Sequence, residues 1–163
     1  MLRRTLLPLF LLILSSISLQ ASELEGRVTW IYDGDTLQVE NIGKVRLIGI
    51  DTPEYEASSR DNFYFKSFAI EEKTLRKISR QAKNHNLRYA KGKNVRLESE
   101  QSKRDKHDRL LAYVYLPDGE MLNLLLLKEG LASVFRRYDF RYKKEFLKVE
   151  ERARRNKRGL WEK

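Results

Sequence analysis

Residues 28–51 read VTWIYDGDTLQVENIGKVRLIGID, and this stretch decides the fold. Apolar and polar side chains alternate in three short runs, from Val28 to Tyr32, from Leu37 to Val39 and from Val45 to Ile50. A glycine turn precedes the second run and another precedes the third, which is typical of hairpin connections. The stretch therefore predicts three consecutive antiparallel strands.

The remainder of the chain predicts two more strands and several helices. The strand candidates lie at 93–98 and 110–116. A charged amphipathic helix is expected from about Phe68 to about residues 84–86. A short apolar helix is expected at 122–129, and a last helix around 142–153. Five strands covered by helices predict an α+β protein, mainly β, built as a five-stranded OB-fold barrel with flanking helices.

The first 21 residues predict an export signal. Arg3 and Arg4 precede an apolar run at 6–14, and small and polar residues then lead to Ala21. A retained membrane anchor is the alternative, but a span needs about 20 apolar residues and this run is shorter. We therefore expect a signal peptide at 1–21, one monomeric domain at 22–163, a periplasmic or extracellular location, and no stable membrane association after cleavage.

The composition points to a polyanionic partner. The sequence has 33 Lys and Arg against 23 Asp and Glu, a net charge of +10. Nucleic acid is the natural candidate, although solubility or an anionic envelope surface would favour the same sign of charge. The chain has no cysteine, which excludes disulfides and a lipid-anchored N-terminal cysteine. His85 and His107 lack the spacing of metal ligands, so zinc is not expected, and both are expected at the surface or in a groove.

Several motifs, in one order and spacing, resemble the staphylococcal nuclease, or thermonuclease, family. The resemblance runs from about Gly26 to Trp161. It implies an OB-fold barrel and a calcium-dependent endonuclease that cleaves DNA and RNA to products with 3′-phosphate ends. The motifs are DGDT at 33–36, RLIGIDTPE at 46–54, DKHDRLLAYVY at 105–115, Asn123, EGLA at 129–132 and GLW at 159–161.

The resemblance also implies roles for single residues, and each role suits the chemistry of its side chain. Paired carboxylates and carbonyls suit a hard cation such as one Ca²⁺ ion, and the fixed fork of arginine suits phosphate oxygens. A further carboxylate suits a general base for water. The implied metal ligands are Asp35, Asp51 and the Thr52 carbonyl, the phosphate-binding arginines are Arg46 and Arg109, and the base is Glu54. Asp33 is expected only to form the turn.

The residues expected to contact the rest of the substrate depart from the family pattern. Lys106 matches a lysine near a terminal phosphate, and Tyr138 matches an aromatic residue near a base. His107, a further candidate for substrate contact, replaces the common tyrosine. Asp108 replaces a glycine, and Arg136 stands in place of a second aromatic residue. These changes affect base stacking and contacts to end phosphates rather than the metal chemistry. A half-buried packing role for Tyr138 is an equal alternative.

Residues 55–68 form a longer connection than in compact family members, and four aromatic side chains cluster in the second half of it. Such a cluster beside an active-site loop would suit one wall of a nucleic-acid groove. Aromatic residues in a loop more often anchor it to the core, and we favour this interpretation. The residues are Phe63, Tyr64, Phe65 and Phe68.

Two other functional classes stay open at this stage. A non-catalytic OB-fold module would bind nucleic acid or another polyanion through charge alone. An envelope protein with an unrelated ligand is the third class. A degenerate module is expected to lose metal-binding and phosphate-binding residues, whereas all five side chains that the family pattern requires are present here. The sequence therefore favours the nuclease.

Overall fold

The computed structural model of the chain describes residues 23–100 and 104–162. The export signal expected at 1–21 lies outside these residues and stays a prediction. Within them, no helix is both long enough and apolar enough to cross a membrane. The elements are β1 (Glu23–Ile31), β2 (Thr36–Val39), β3 (Gly43–Leu47), β4 (Ile50–Asp51), α1 (Ser59–Phe68), α2 (Glu72–Tyr89), β5 (Asn94–Glu98), β6 (Leu110–Tyr115), α3 (Leu122–Lys128), β7 (Ser133–Val134), α4 (Lys143–Arg155) and a final 3-10 turn (Gly159–Trp161).

The five long strands close into a barrel in the order β1-β2-β3-β6-β5. Strand β1 closes it because its first half pairs with β5 and its second half pairs with β2, with a register irregularity between Val28 and Trp30. Strands β3 and β6 pair in parallel, with Val45 opposite Leu110, and the other barrel pairs are antiparallel. This architecture confirms the predicted five-stranded OB-fold barrel with flanking helices.

The third predicted strand ends earlier than expected. Strand β3 stops at Leu47, and Gly49 turns the chain at a positive φ of 78°. A side chain at Gly49 would collide with the ring of Phe140, whose nearest carbon lies 2.5 Å from the position of a Cβ atom. The following Ile50 and Asp51 leave the barrel sheet and pair with β7. Asp51 therefore lies in a separate two-stranded ribbon, which the alternation of apolar residues did not reveal.

The predicted single helix after residue 68 is also wrong in its boundaries. Helix α1 begins at Ser59, inside the segment expected to be a loop, and ends where Ala69 adopts a left-handed conformation with φ of 52°. Helix α2 then continues through residues 84–86 to Tyr89. Asparagine often ends helices, but Asn86 is fully buried in α2, and its side-chain N–H group donates to a tertiary contact described below.

The two C-terminal helices lie where the apolar stripes predict them. Helix α3 buries Leu122 and Leu126, and α4 buries Phe146 and Ala153 against the same core. Asn123 of α3 is fully buried; its amide donates to the Ile48 carbonyl at 2.9 Å, and its side-chain oxygen accepts from the backbone N–H of Val114 at 3.1 Å. These bonds join α3 to β6 and to the turn that leads towards Asp51.

Candidate active site

The turn between β1 and β2 carries the first candidate ligand. Asp33 caps this turn, because its Oδ1 atom accepts from the backbone N–H of Asp35 at 2.9 Å, as expected of a turn-forming aspartate. A Cβ atom on Gly34 would lie 2.7 Å from both the Thr52 hydroxyl and the Ala82 methyl group. The side chain of Asn86 donates to the Gly34 carbonyl at 2.8 Å. Helix α2 therefore holds the turn in place directly.

The Asp35 carboxylate is buried and fully engaged. Its Oδ2 atom accepts from the backbone N–H and the hydroxyl of Thr52, at 2.9 and 3.0 Å. Its Oδ1 atom accepts from the Thr36 hydroxyl at 3.2 Å and from Arg46 Nη1. Burial raises the pKa of Asp35 to about 6, although the Arg46 charge acts against this rise. A bound cation would favour the ionised carboxylate.

Arg46 of β3 connects the two candidate carboxylates. Its Nη1 atom contacts Asp35 Oδ1, and its Nη2 atom lies 3.3 Å from Asp51 Oδ1. Burial alone would lower the pKa of Arg46, but the carboxylates of Asp35 and Asp51 outweigh it and raise this pKa. The guanidinium stays charged, and both carboxylates converge on it. Four of the predicted site residues are thus brought together: Asp35, Arg46, Asp51 and Thr52.

Asp51 has two further partners that the sequence did not suggest. Arg60 of α1 donates to Asp51 Oδ2 from Nε at 3.1 Å and from Nη2 at 2.5 Å. The hydroxyl of Tyr64 lies 3.1 Å from the same oxygen and 3.0 Å from the Asp51 carbonyl. The sequence did contain a pattern that predicts this helix, because Ser58 and Asp61 form a capping box at its start. Within the helix, Arg60 and Tyr64 are four residues apart and so lie on one face.

The aromatic segment at 55–68 mainly anchors α1. Tyr64 is fully buried, and Phe63 and Phe68 pack against the core. The Arg60 guanidinium carbon lies 4.4 Å from the centre of the Phe63 ring, so this aromatic residue also holds the arginine that contacts Asp51. Phe65 is the exception, because 62% of it is exposed. These contacts support the anchoring interpretation for three of the four rings.

Arg109 lies immediately before β6 and reaches the same site through Thr36. Its Nη1 atom is 3.4 Å from the Thr36 hydroxyl, which itself donates to Asp35. Asp105 holds the guanidinium, with its Oδ2 atom 2.9 Å from Nε and 2.7 Å from Nη2. Desolvation would raise the pKa of Asp105, but hydrogen bonds from Arg109 and from the backbone of His107 lower it. Sequence reasoning missed this supporting aspartate, although it stands four residues before Arg109.

The exposed turn before Arg109 carries two of the weaker substrate candidates. Lys106 and His107 are both exposed there, as expected for residues that meet a ligand from solvent. Asp108 has a positive φ of 58°. This conformation explains why a glycine suits the position in the family pattern and why the aspartate is tolerated, since aspartate adopts it more readily than most residues.

Glu54 follows the two ligands on an exposed segment after Pro53. Its pKa is raised, first by desolvation of the carboxyl group and then by the negative charge of Asp35, while Arg46 and Arg109 act in the opposite direction. Glu54 is thus electrostatically coupled to the residues with which the sequence grouped it. A base with a raised pKa suits the removal of a proton from water near neutral pH.

Tyr138 lies outside this hydrogen-bonded cluster. It is 65% exposed, which excludes the half-buried alternative, and its ring centre is 4.9 Å from that of Phe135. Arg136 forms an ion pair with the buried Glu150, so it has a structural partner in place of an open face for a base. His85, expected at the surface or in a groove, is half-buried in α2 against the Tyr89 ring.

The donor chemistry of the cluster fits a hard divalent cation. Asp35, Asp51 and the Thr52 carbonyl offer oxygen atoms only, which suits calcium. Among the described residues, no group of three or more acidic, histidine or cysteine side chains is arranged to hold a metal ion. Backbone, water and substrate oxygens would have to complete such a site. Both carboxylates are also engaged by arginines, so a cation would have to replace some of these contacts.

The barrel and the cluster define the class of protein: an OB-fold with acidic and guanidinium groups converging near one end of the barrel. Residues 44–163 match the model of the staphylococcal nuclease homologue family. The chain belongs to the staphylococcal nuclease family, and this membership supports a nuclease function. The match covers most of the described domain, including four of the five predicted catalytic and carboxylate-ligand side chains.

The chain is similar to proteins of three organisms, two of which are named as nucleases. The chain is 32% identical over 145 residues to the thermonuclease of Staphylococcus hyicus, covering 86% of this chain and 78% of that protein. It is 32% identical over 161 residues to an uncharacterized endonuclease of Escherichia coli, covering 97% and 90%. It is 36% identical over 147 residues to an uncharacterized protein of Methanocaldococcus jannaschii, covering 83% and 70%.

Proposed function

We propose that this protein is an exported, calcium-dependent endonuclease that hydrolyses DNA, RNA or both to products with 3′-phosphate ends. One observation carries the proposal. The guanidinium of Arg46 joins the carboxylates of Asp35 and Asp51, and Arg109 is linked to the Asp35 carboxylate through the hydroxyl of Thr36. Charged groups of both signs are therefore concentrated at one place on a basic protein. This arrangement suits a phosphodiester and a cation better than it suits a purely structural role.

The proposed division of labour follows from the chemistry of the side chains. Asp35, Asp51 and the Thr52 carbonyl would hold the ion, which when bound supplies Lewis acidity and positive charge beside the phosphate. Arg46 and Arg109 would exchange part of their carboxylate contacts for phosphoryl oxygens when substrate enters. Their fixed, permanently charged forks stabilise the negative charge that grows on those oxygens during attack.

Glu54 would accept the proton of the attacking water. Water then forms the new bond to phosphorus while the bond from phosphorus to the 5′-oxygen breaks. The phosphate stays on the 3′ side, and the departing 5′-oxygen takes up a proton to become a hydroxyl group. General-base assistance typically contributes about 10² to 10⁴ in rate, so Glu54→Gln should leave a slow but measurable enzyme.

The test is cleavage of supercoiled plasmid and of a labelled single strand, with calcium and with a chelator. We expect cleavage only with calcium, a large loss of cleavage in Glu54→Gln, and 3′ ends that a polymerase extends only after phosphatase treatment. Glu56→Gln, two residues further along the same exposed segment, is the matched control. Undiminished cleavage in chelator would refute the metal role. Binding without cleavage under any condition would favour the non-catalytic OB-fold module.

A further inference from the structure

A cleft of about 360 Å³ lies against the turn that precedes Asp35 and the segment that follows Glu54. This volume falls within the range of clefts that hold small ligands, which is roughly 300 to 1,000 Å³. Two of its lining residues are close neighbours of proposed catalytic residues in the sequence: Asp33 stands two positions before Asp35, and Tyr55 directly follows Glu54. Its wall includes Tyr32, Asp33, Tyr55, Arg80, Lys83 and Asn84.

Two aromatic rings of this cleft are open to solvent. Tyr55 is 61% exposed and Tyr32 is 38% exposed. The hydroxyl of Tyr32 donates to the Gln38 side chain at 3.1 Å, which fixes the orientation of the ring. Exposed aromatic faces in a basic groove are the usual platforms for unpaired bases, since every base presents a π-face whatever its sequence.

Two cations of α2 line the same cleft. Arg80 and Lys83 are three residues apart and so lie on one face of the helix. The Arg80 guanidinium carbon is 5.4 Å from the centre of the Tyr55 ring. Within residues 23–100 and 104–162, neither cation forms an ion pair with a carboxylate. Asp33 is the acidic member of the wall, and its Oδ1 atom is used by the backbone N–H of Asp35. The positively charged side of the cleft is therefore the α2 side.

We propose that this cleft is a nucleotide subsite for single-stranded or frayed nucleic acid, which takes one base next to the scissile bond. The base stacks on Tyr55 or Tyr32, and the adjoining phosphate lies against Arg80 and Lys83. A base inside a duplex cannot enter such a cleft without leaving its stack, so the subsite selects unpaired strands. This inference rests on the proposed nuclease function and adds a base-binding site formed by residues other than the proposed catalytic ones.

The test uses labelled single strands in which one base at a time is removed on either side of a mapped cleavage bond. For the wild-type protein, removal of the base that enters the cleft should slow cleavage at that bond by roughly 5- to 150-fold, the range expected for loss of one stacked base. The double variant Tyr55→Ala/Arg80→Ala should slow cleavage of the intact strand comparably, and it should no longer respond to that missing base.

The chain offers a closely matched control. Arg88 and Tyr89 form the same kind of contact, with the guanidinium carbon 5.3 Å from the ring centre, but they do not line this cleft. Arg88→Ala/Tyr89→Ala should keep the wild-type response to the missing base. Lys83→Glu, a second variant on the cleft rim, should weaken binding of single strands measured by fluorescence anisotropy. Circular dichroism confirms that each variant is folded.

The outcomes separate the subsite from the nuclease function. If the wild-type protein cleaves and both double variants respond identically to missing bases, the subsite is overturned while the nuclease stands. If the wild-type protein cleaves no strand with calcium, the proposed function itself fails and the subsite fails with it. Equal rates on single-stranded and fully paired substrates of the same sequence would also contradict the subsite.

Discussion

The hydrogen bond from Asn86 to the Gly34 carbonyl offers the most specific test of how the fold holds the site. Asn86 is fully buried in α2, and its 2.8 Å bond reaches the turn that carries Asp35. In Asn86→Ala the carbonyl of Gly34 loses this donor, which costs about 1–3 kcal/mol. Alanine favours the helix over asparagine by about 0.5 kcal/mol. The net loss of stability should therefore be about 0.5–2.5 kcal/mol.

The assay compares urea unfolding of Asn86→Ala with that of Asn84→Ala, an exposed asparagine two residues earlier in the same helix. The control shares the gain in helix propensity without the tertiary bond, so it should be as stable as wild type or slightly more stable. Cleavage by folded Asn86→Ala should also fall by roughly tenfold, since small displacements of catalytic groups are costly. Equal stability of the two variants would show that the bond from Asn86 to Gly34 does not stabilise the fold.

Three further predictions concern charged groups. Asp105→Asn should lower kcat/KM by roughly tenfold because Arg109 loses its orienting carboxylate. Asp108→Asn in the same turn should leave kcat/KM unchanged. Equal effects of the two substitutions would contradict the orienting role of Asp105. Arg60→Ala should tighten calcium binding at Asp51 by roughly threefold or more in calorimetry, because a competing cation is removed. Arg60→Lys should retain most of the wild-type affinity. Weaker calcium binding in Arg60→Ala would show that Arg60 matters more for orienting the Asp51 carboxylate than for competing with the ion. Binding of single strands should weaken with salt with a logarithmic slope of about −1.4, the value for two phosphates, one at Arg46 and Arg109 and one at Arg80 and Lys83. A flat response would argue against binding led by phosphate contacts.

The sequence predicted most of the barrel because strand alternation is a local property. Five strand candidates, α3 and the last helix were recognisable from apolar periodicity alone. The break at Gly49 was not, since it depends on the Phe140 ring, about 90 positions away in the chain. The β4–β7 pair likewise joins Asp51 to Ser133. Contacts of this kind leave little trace in a local pattern, so the strand boundary nearest the site was the one predicted wrongly.

The site shows a similar division. The residues that carry the chemistry stand in recognisable motifs, and the structure brings Asp35, Arg46, Asp51 and Thr52 into direct contact. The residues that hold them in place were largely missed. Asn86 looked like a helix end, and Arg60 was one cation among many. Their roles depend on how α1 and α2 pack against the barrel. The spacing of residues within either helix does not predict this packing.

The most direct test of the central claim measures whether Arg46 and Arg109 act on one phosphate. Single-turnover cleavage of a labelled strand with calcium is compared for Arg46→Lys, Arg109→Lys and the double variant. Residues that act as a unit on one transition state give a double variant whose rate loss is much smaller than the product of the single losses. We expect a strong loss of rate in each single variant and, in the double variant, a loss smaller than the product of the two single losses. Unchanged turnover in either single variant, or fully multiplicative losses, would contradict it.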